Sequence, residues 1–110
     1  MDQIAATSIL FDIYGGLLTE KKREVMMLYH EENLSLSEIA EEQGVSRAAV
    51  HDALKSAEKN LRDYENKLGL AVAYLNRQDA VQEIREIITE QLSDAEILQK
   101  IEKLLSKLED

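Results

Sequence analysis

The residues best suited to engage a ligand lie in one stretch, Leu36-Ser37-Glu38-Ile39-Ala40-Glu41-Glu42-Gln43-Gly44-Val45-Ser46-Arg47-Ala48-Ala49-Val50. Ser46 stands where a helix N-cap is wanted. The backbone amides that follow it, together with the Arg47 guanidinium, form a locally positive end that favours phosphate. Further on, His51, Lys55, Lys59 and Arg62 fall within an arc about 80° wide at roughly 100° of turn per residue, a stripe suited to phosphate contact. Asp52 carries the wrong sign for phosphate, although its carboxylate accepts a hydrogen bond of the kind cytosine offers. Ala48 and Ser56 contribute little reach. The candidate nucleic-acid contacts are therefore Ser46, Arg47, Ala48, His51, Asp52, Lys55, Lys59 and Arg62.

Other chemistries find less support. His30 and His51 are the only histidines, and neither begins a metal-ligand spacing; His30 reads as a helix-end residue facing the negative pole of the dipole. Glu31-Glu32 and Glu41-Glu42 are adjacent, so their side chains diverge and read as solvated faces rather than acid pairs. There is no cysteine, which excludes disulfides, thiolate zinc sites, iron–sulfur clusters and thiol nucleophiles. No Gly-rich phosphate loop and no Ser–His–Asp arrangement is discernible. The expectation is a protein that works by binding, with no catalytic residue, metal, cofactor or small-molecule substrate.

The elements that must position these residues are helices. Hydrophobic residues make up 45% of the 110 and charged residues 32%, and there is no proline to interrupt a helix. Ile4, Leu10, Phe11 and Tyr14 mark a first amphipathic helix, ended by Gly15-Gly16. Thr19 caps a second from Glu20 to about His30, with Val25, Leu28 and Tyr29 inward. Ser35 and Glu38 form a capping box, with Leu34 and Ile39 as its hydrophobic staple. Gly44 then supplies a left-handed C-cap, Ser46 the next N-cap, and Val45 with Val50 a second staple. A short helix, a glycine turn and a capped second helix are what a helix-turn-helix requires, and Ala40 is small where the two must cross.

From Val50 the apolar positions Leu54, Ala57, Leu61, Tyr64, Leu68, Ala71 and Leu75 alternate in steps of four and three, an a/d seam. Unbroken from Arg47 to Leu75, that helix would run roughly 43 Å, longer than the preceding residues can cover. Val81, Ile84, Ile88 and Leu92 mark a fifth helix. Ser93 and Glu96 read as another capping box, with Leu92 and Ile97 as staple, ahead of a final helix carrying Ile97, Ile101, Leu104 and Leu108. This tail folds back on the long helix, pairs with a second chain, or both. Residues Tyr64, Leu68, Leu75, Ile97, Ile101, Leu104 and Leu108 are the expected interface of a homodimer.

These residues resemble known families. Leu17-Leu18-Thr19 to Val25, then Leu36 to Leu61, are similar to the promoter-reading fourth region of primary sigma factors. The departures are Ala48, Asp52 and Ser56, where sigma factors place long polar side chains, and they weigh against promoter-like reading. The whole chain more closely resembles the YlxM family of small bacterial helix-turn-helix proteins, through Leu10-Phe11-Asp12-Ile13-Tyr14, Glu38-Ile39-Ala40-Glu41-Glu42, Val45-Ser46-Arg47 and Tyr64-Glu65. That resemblance covers about the first 75 residues well and the tail only in character. It implies a regulatory accessory of the signal recognition particle pathway, acting through the particle's RNA or its GTPase.

The fold expected is all-α: a helix-turn-helix domain over 1–63 resembling sigma region four, then a helical extension over 64–110. The net charge of −9, from 22 acidic against 13 basic residues, argues against a protein that simply coats nucleic acid. The stretch from Gly44 to Arg62 is nevertheless locally positive. Two readings stay open: a binder of DNA or of signal recognition particle RNA, and a protein–protein adaptor that uses the same scaffold without nucleic acid. With no apolar run long enough to span a bilayer and no basic leader after Met1-Asp2-Gln3, membrane insertion is not expected and the cytoplasm is the expected compartment.

Overall fold

A computed structural model describes residues 3–109 of the chain, with side-chain packing from residue 6 onward. The side chain of Ile4, one of the apolar positions expected in the first helix, lies outside the described residues. The fold is all-α, with six α-helices and no strand among the described residues: α1 (Gln3–Tyr14), α2 (Glu20–Met26), α3 (Leu36–Gln43), α4 (Arg47–Leu68), α5 (Leu70–Gln91) and α6 (Ala95–Glu109). None of these helices is long and apolar enough to cross a membrane. The chain forms two compact units, Met1–Ala71 and Val72–Asp110.

In the first unit the helix boundaries follow local chemistry. The Thr19 hydroxyl accepts from the Lys22 amide at 3.3 Å and starts α2. Ser35 and Glu38 close a reciprocal capping box: the Ser35 hydroxyl accepts from the Glu38 amide, and the Glu38 carboxylate from the Ser35 amide, each at 3.1 Å. These bonds, the backbone one first, hold the Glu38 carboxyl below its ordinary pKa. Gly44 ends α3 with φ +68°, and the Val45 amide reaches back to the Ala40 carbonyl at 3.0 Å, which turns the chain into α4.

The core of this unit is a single cluster. Tyr14 and Leu18, then Val25, Met26 and Leu28, then Ile39 and Ala40, meet one face of α4 made of Val50, Leu54, Ala57 and Leu61. The staple partners Leu34 and Val45 are half-buried against it. Burying a side chain the size of Leu61 or Ile39 contributes about 1.5–3 kcal/mol, and α4 places four apolar residues on this one stripe.

Three sequence expectations need correction in this unit. The second helix does not continue regularly to His30; after Met26 the backbone widens into one π-turn over Met27–Glu31, closed by the Glu32 amide on the Met27 carbonyl at 3.1 Å. Met26, the last residue of α2, is buried, and Tyr29, within the wider turn, is exposed. The long helix does not run to Leu75 either. It stops at Leu68, and Gly69 takes the left-handed cap conformation at φ +65°. Finally, Tyr64 is not a free seam residue: its ring lies 5.9 Å from that of Tyr14, and its hydroxyl donates to the Leu17 carbonyl at 3.3 Å.

The break at Gly69 is held by polar groups brought from far along the chain. The buried Tyr14 hydroxyl donates to Glu65 Oε1 at 2.6 Å and accepts from the Leu70 amide at 3.1 Å. Glu65 Oε1 also accepts from the Ala71 amide at 2.9 Å. The first two amides of α5, which no intrahelical carbonyl can serve, are thereby satisfied. Burial, followed by the Glu65 carboxylate, raises the Tyr14 phenol above its usual pKa.

The second unit contains most of α5 and all of α6, joined by the short connection 92–94. Here Asp94, not Ser93, caps α6: Asp94 Oδ1 accepts from the amides of Glu96 and Ile97 at 2.9 and 3.2 Å. The Asp94 carboxylate also places its charge at the positive end of the helix dipole. Arg85 of α5 pairs with Glu102 and Glu109 of α6. Those carboxylates, Glu102 first, raise the Arg85 pKa, and the guanidinium in turn lowers that of Glu102. Val81 and Leu105 are the buried apolar side chains of this unit beyond Ala71, with Ile88, Leu98 and Ile101 half-buried.

Candidate nucleic-acid interface

The turn between α3 and α4 leaves the start of α4 open to solvent. The Ser46 hydroxyl accepts from the Ala49 amide at 3.0 Å, so it is committed to capping, and the amides of Arg47 and Ala48 remain the ones available to a ligand anion. Arg47, Ala48, Ala49, His51 and Asp52 are all exposed, while Val50 points into the core. The expected recognition residues thus share the solvent side of one helix. Ala49, not singled out from sequence, belongs with them; the signal was its place between Ala48 and Val50 on a helix whose inward positions were already assigned.

The electrostatics of this face are mixed. Asp52 is 86% exposed at the side chain and sits 3.7 Å from His51 Nδ1, itself 53% exposed. Any phosphate approaching His51 therefore meets a carboxylate first. Arg47 and Lys55 are exposed, but Lys55 borders a hollow shared with His30, Asn33 and Glu58, and His30 Nε2 lies 3.8 Å from Glu58 Oε1. Lys59 donates to Asp63 at 3.0 Å, an exposed i,i+4 pair. Arg62 is exposed beside Asp63 and Asn66. Ser56 is half-buried and adds nothing to the face.

The expected interface residues divide. Tyr64 belongs to the first unit's own packing, and Leu75 and Ile101 are half-buried. Leu68, Ile97, Leu104 and Leu108 are exposed.

The model of the UPF0122 family, described as "Putative helix-turn-helix protein, YlxM / p13 like", matches residues 1–104. The chain belongs to the UPF0122 family. Among curated relatives, the UPF0122 protein BH2485 of Halalkalibacterium halodurans is 40% identical over 104 residues, 94% of this chain and 95% of the relative. The UPF0122 protein Teth514_1714 of Thermoanaerobacter sp. (strain X514) is 39% identical over 112 residues, 99% of this chain and 96% of the relative. A UPF0122 protein of Bacillus thuringiensis is 38% identical over 109 residues, 99% of each. This UPF0122 chain is thus similar to its relatives through α5 and α6 as well as through the helix-turn-helix, a wider reach than the roughly 75 residues read from sequence.

Proposed function

We propose that this UPF0122 protein is a non-enzymatic, cytoplasmic helix-turn-helix protein that binds nucleic acid as a regulatory accessory of the signal recognition particle pathway. The observation that carries the binding reading is the solvent-open start of α4, capped by Ser46 and led by Arg47, with Lys55, Lys59 and Arg62 on the same helix. A capped helix end with its core on the opposite side is the geometry by which such motifs meet a phosphate backbone. The family description supports a helix-turn-helix protein, and the pathway is what the resemblance to the YlxM family implies. Asp52, 86% exposed at the side chain, opposes phosphate contact at its own position and leaves that role to Arg47 and Lys55.

Fluorescence anisotropy against signal recognition particle RNA and against random duplex DNA, each across a salt series, tests this reading. We expect binding to the RNA, with Arg47→Ala and Lys55→Ala each lowering the salt slope by up to about 0.9, the value for one duplex phosphate contact. Lys59→Ala will cost less, because Asp63 already competes for that ammonium. Asp52→Asn will tighten binding by removing a charge of the wrong sign. Steeply salt-dependent binding to DNA alone would point to a DNA regulator instead. Binding to neither at low salt would overturn the nucleic-acid reading and leave the adaptor, which the net charge of −9 suits when the partner is basic.

A further inference from the structure

Both helices of the second unit carry exposed large apolar side chains. On α6, Leu98, Ile101 and Leu105 lie on the side that also bears Glu102 and Glu109, the carboxylates bound to Arg85. Ile97, Leu104 and Leu108 lie roughly 90° away from that contact line, at roughly 100° of turn per residue, and are 44%, 61% and 51% exposed. On α5, Val81 and Ile88 share the stripe of Arg85. Ile84 and Ile87 lie off it and are 42% and 54% exposed. Both exposed sets are displaced from the contact line in the same rotational sense. The Arg85 pairs with Glu102 and Glu109 and the short 92–94 connection make α5 and α6 an antiparallel hairpin, in which that sense places Ile84, Ile87, Ile97, Leu104 and Leu108 on one side.

The rims of this face carry opposite charge. Beyond Ile84 and Ile87, the outer edge of α5 is lined by Glu83 and Glu90. Beyond Ile97 and Leu104, the outer edge of α6 is lined by Lys100 and Lys107, with Glu96 paired to Lys100 at 3.8 Å. A surface with an apolar centre, an acidic edge and a basic edge is complementary to itself under a two-fold axis parallel to the helices. That rotation sets each acidic α5 over the partner's basic α6. The alternative two-fold, across the helices, would stack acid on acid and base on base.

We propose that this face is a homodimer interface, in which α5 and α6 of two copies form an antiparallel four-helix bundle with α5 of each copy over α6 of its partner. Ile84 then packs between Ile101 and Leu104 of the partner subunit, and Glu83 faces Lys100 and Lys107 of the partner subunit. The interface uses Ile97, Ile101, Leu104 and Leu108 of the expected set, adds Ile84 and Ile87, and leaves out Tyr64, Leu68 and Leu75.

Sedimentation equilibrium of the full chain tests this, with far-UV circular dichroism to show that each variant is folded. The wild type is expected at twice the 12.5 kDa chain mass. The double variant Lys100→Glu/Lys107→Glu is expected to weaken self-association by about tenfold or more, as is Glu83→Lys/Glu90→Lys, because each makes both rims alike. Mixing the two variants should restore association as a heterodimer. A wild type that stays monomeric overturns the proposal and leaves the face to a different protein. A dimer indifferent to the first double variant overturns the pairing of α5 with α6.

Discussion

Replacing Gly44 by alanine isolates the backbone term that sets the α3–α4 turn. Gly44 holds φ +68°, and a Cβ built there meets nothing within 4 Å, so no clash contributes. What remains is the left-handed conformation itself, which costs an L-residue about 1–2 kcal/mol. Alanine also restricts the unfolded chain, which returns about 0.4–1 kcal/mol. The net is a loss of about 1 kcal/mol. For a unit of this size that lowers the melting temperature by about 4–8 °C. Gly44→Asn should lose less than alanine, because asparagine tolerates the left-handed region better. Gly16 is the control: it too has open space around a built Cβ but no positive φ, so Gly16→Ala should leave stability unchanged or raise it. Thermal melts by far-UV circular dichroism, with urea titrations for free energies, read all three. The reasoning fails if Gly44→Ala melts at or above the wild type, or if asparagine proves as damaging as alanine.

Two further outcomes follow from packing and from charge. Leu61 is fully buried at the C-terminal end of the α4 stripe, so Leu61→Ala should cost about 2–5 kcal/mol in urea unfolding, whereas Leu17→Ala at an exposed site should stay within about 0.5 kcal/mol. The Glu38 and Glu102 carboxyls are held below their ordinary pKa, the first by the Ser35 capping bonds and the second by Arg85. Groups of this kind bind protons less readily folded than unfolded, so their contribution is present above the ordinary carboxylate range and is lost as pH falls through it. Urea midpoints from about pH 7 to about pH 3 should therefore fall less steeply in Glu38→Gln and Glu102→Gln than in the wild type.

The parts of this fold that were legible in the sequence are those written in local chemistry. Thr19, Ser35 with Glu38, Gly44 and Ser46 each act on an atom within a few residues, and each sits in the structure where its type and spacing require. The break at Gly69 was hidden because the four-three spacing of apolar residues runs straight through it. A lone glycine inside such a pattern is ordinarily tolerated, at a cost of about 1 kcal/mol relative to alanine. Here Tyr14 and Glu65 hold the amides of Leu70 and Ala71 after the break, and the Tyr14 contact spans 56 positions of sequence. Spacing cannot report a bond of that range. The capping site of α6 was missed by one residue because Ser93 and Asp94 are both good caps, and only their backbone placement decides between them. At the candidate interface the outward positions were legible from the inward ones, while the Lys59–Asp63 pairing, which subtracts from the basic stripe, was overlooked although its i,i+4 spacing announced it.

The bonds from Tyr14 and Glu65 to the first amides of α5 bear on the order in which the chain acquires structure. Starting a helix is its unfavourable step, since several residues must be fixed before the first bond forms. Once α1 has settled on α4, the Tyr14 hydroxyl and the Glu65 carboxylate stand ready as acceptors for Leu70 and Ala71. The first turn of α5 thus finds its acceptors on residues that precede it, which lowers the cost of starting the helix there. A fragment beginning after Glu65 would have to nucleate the same helix unaided.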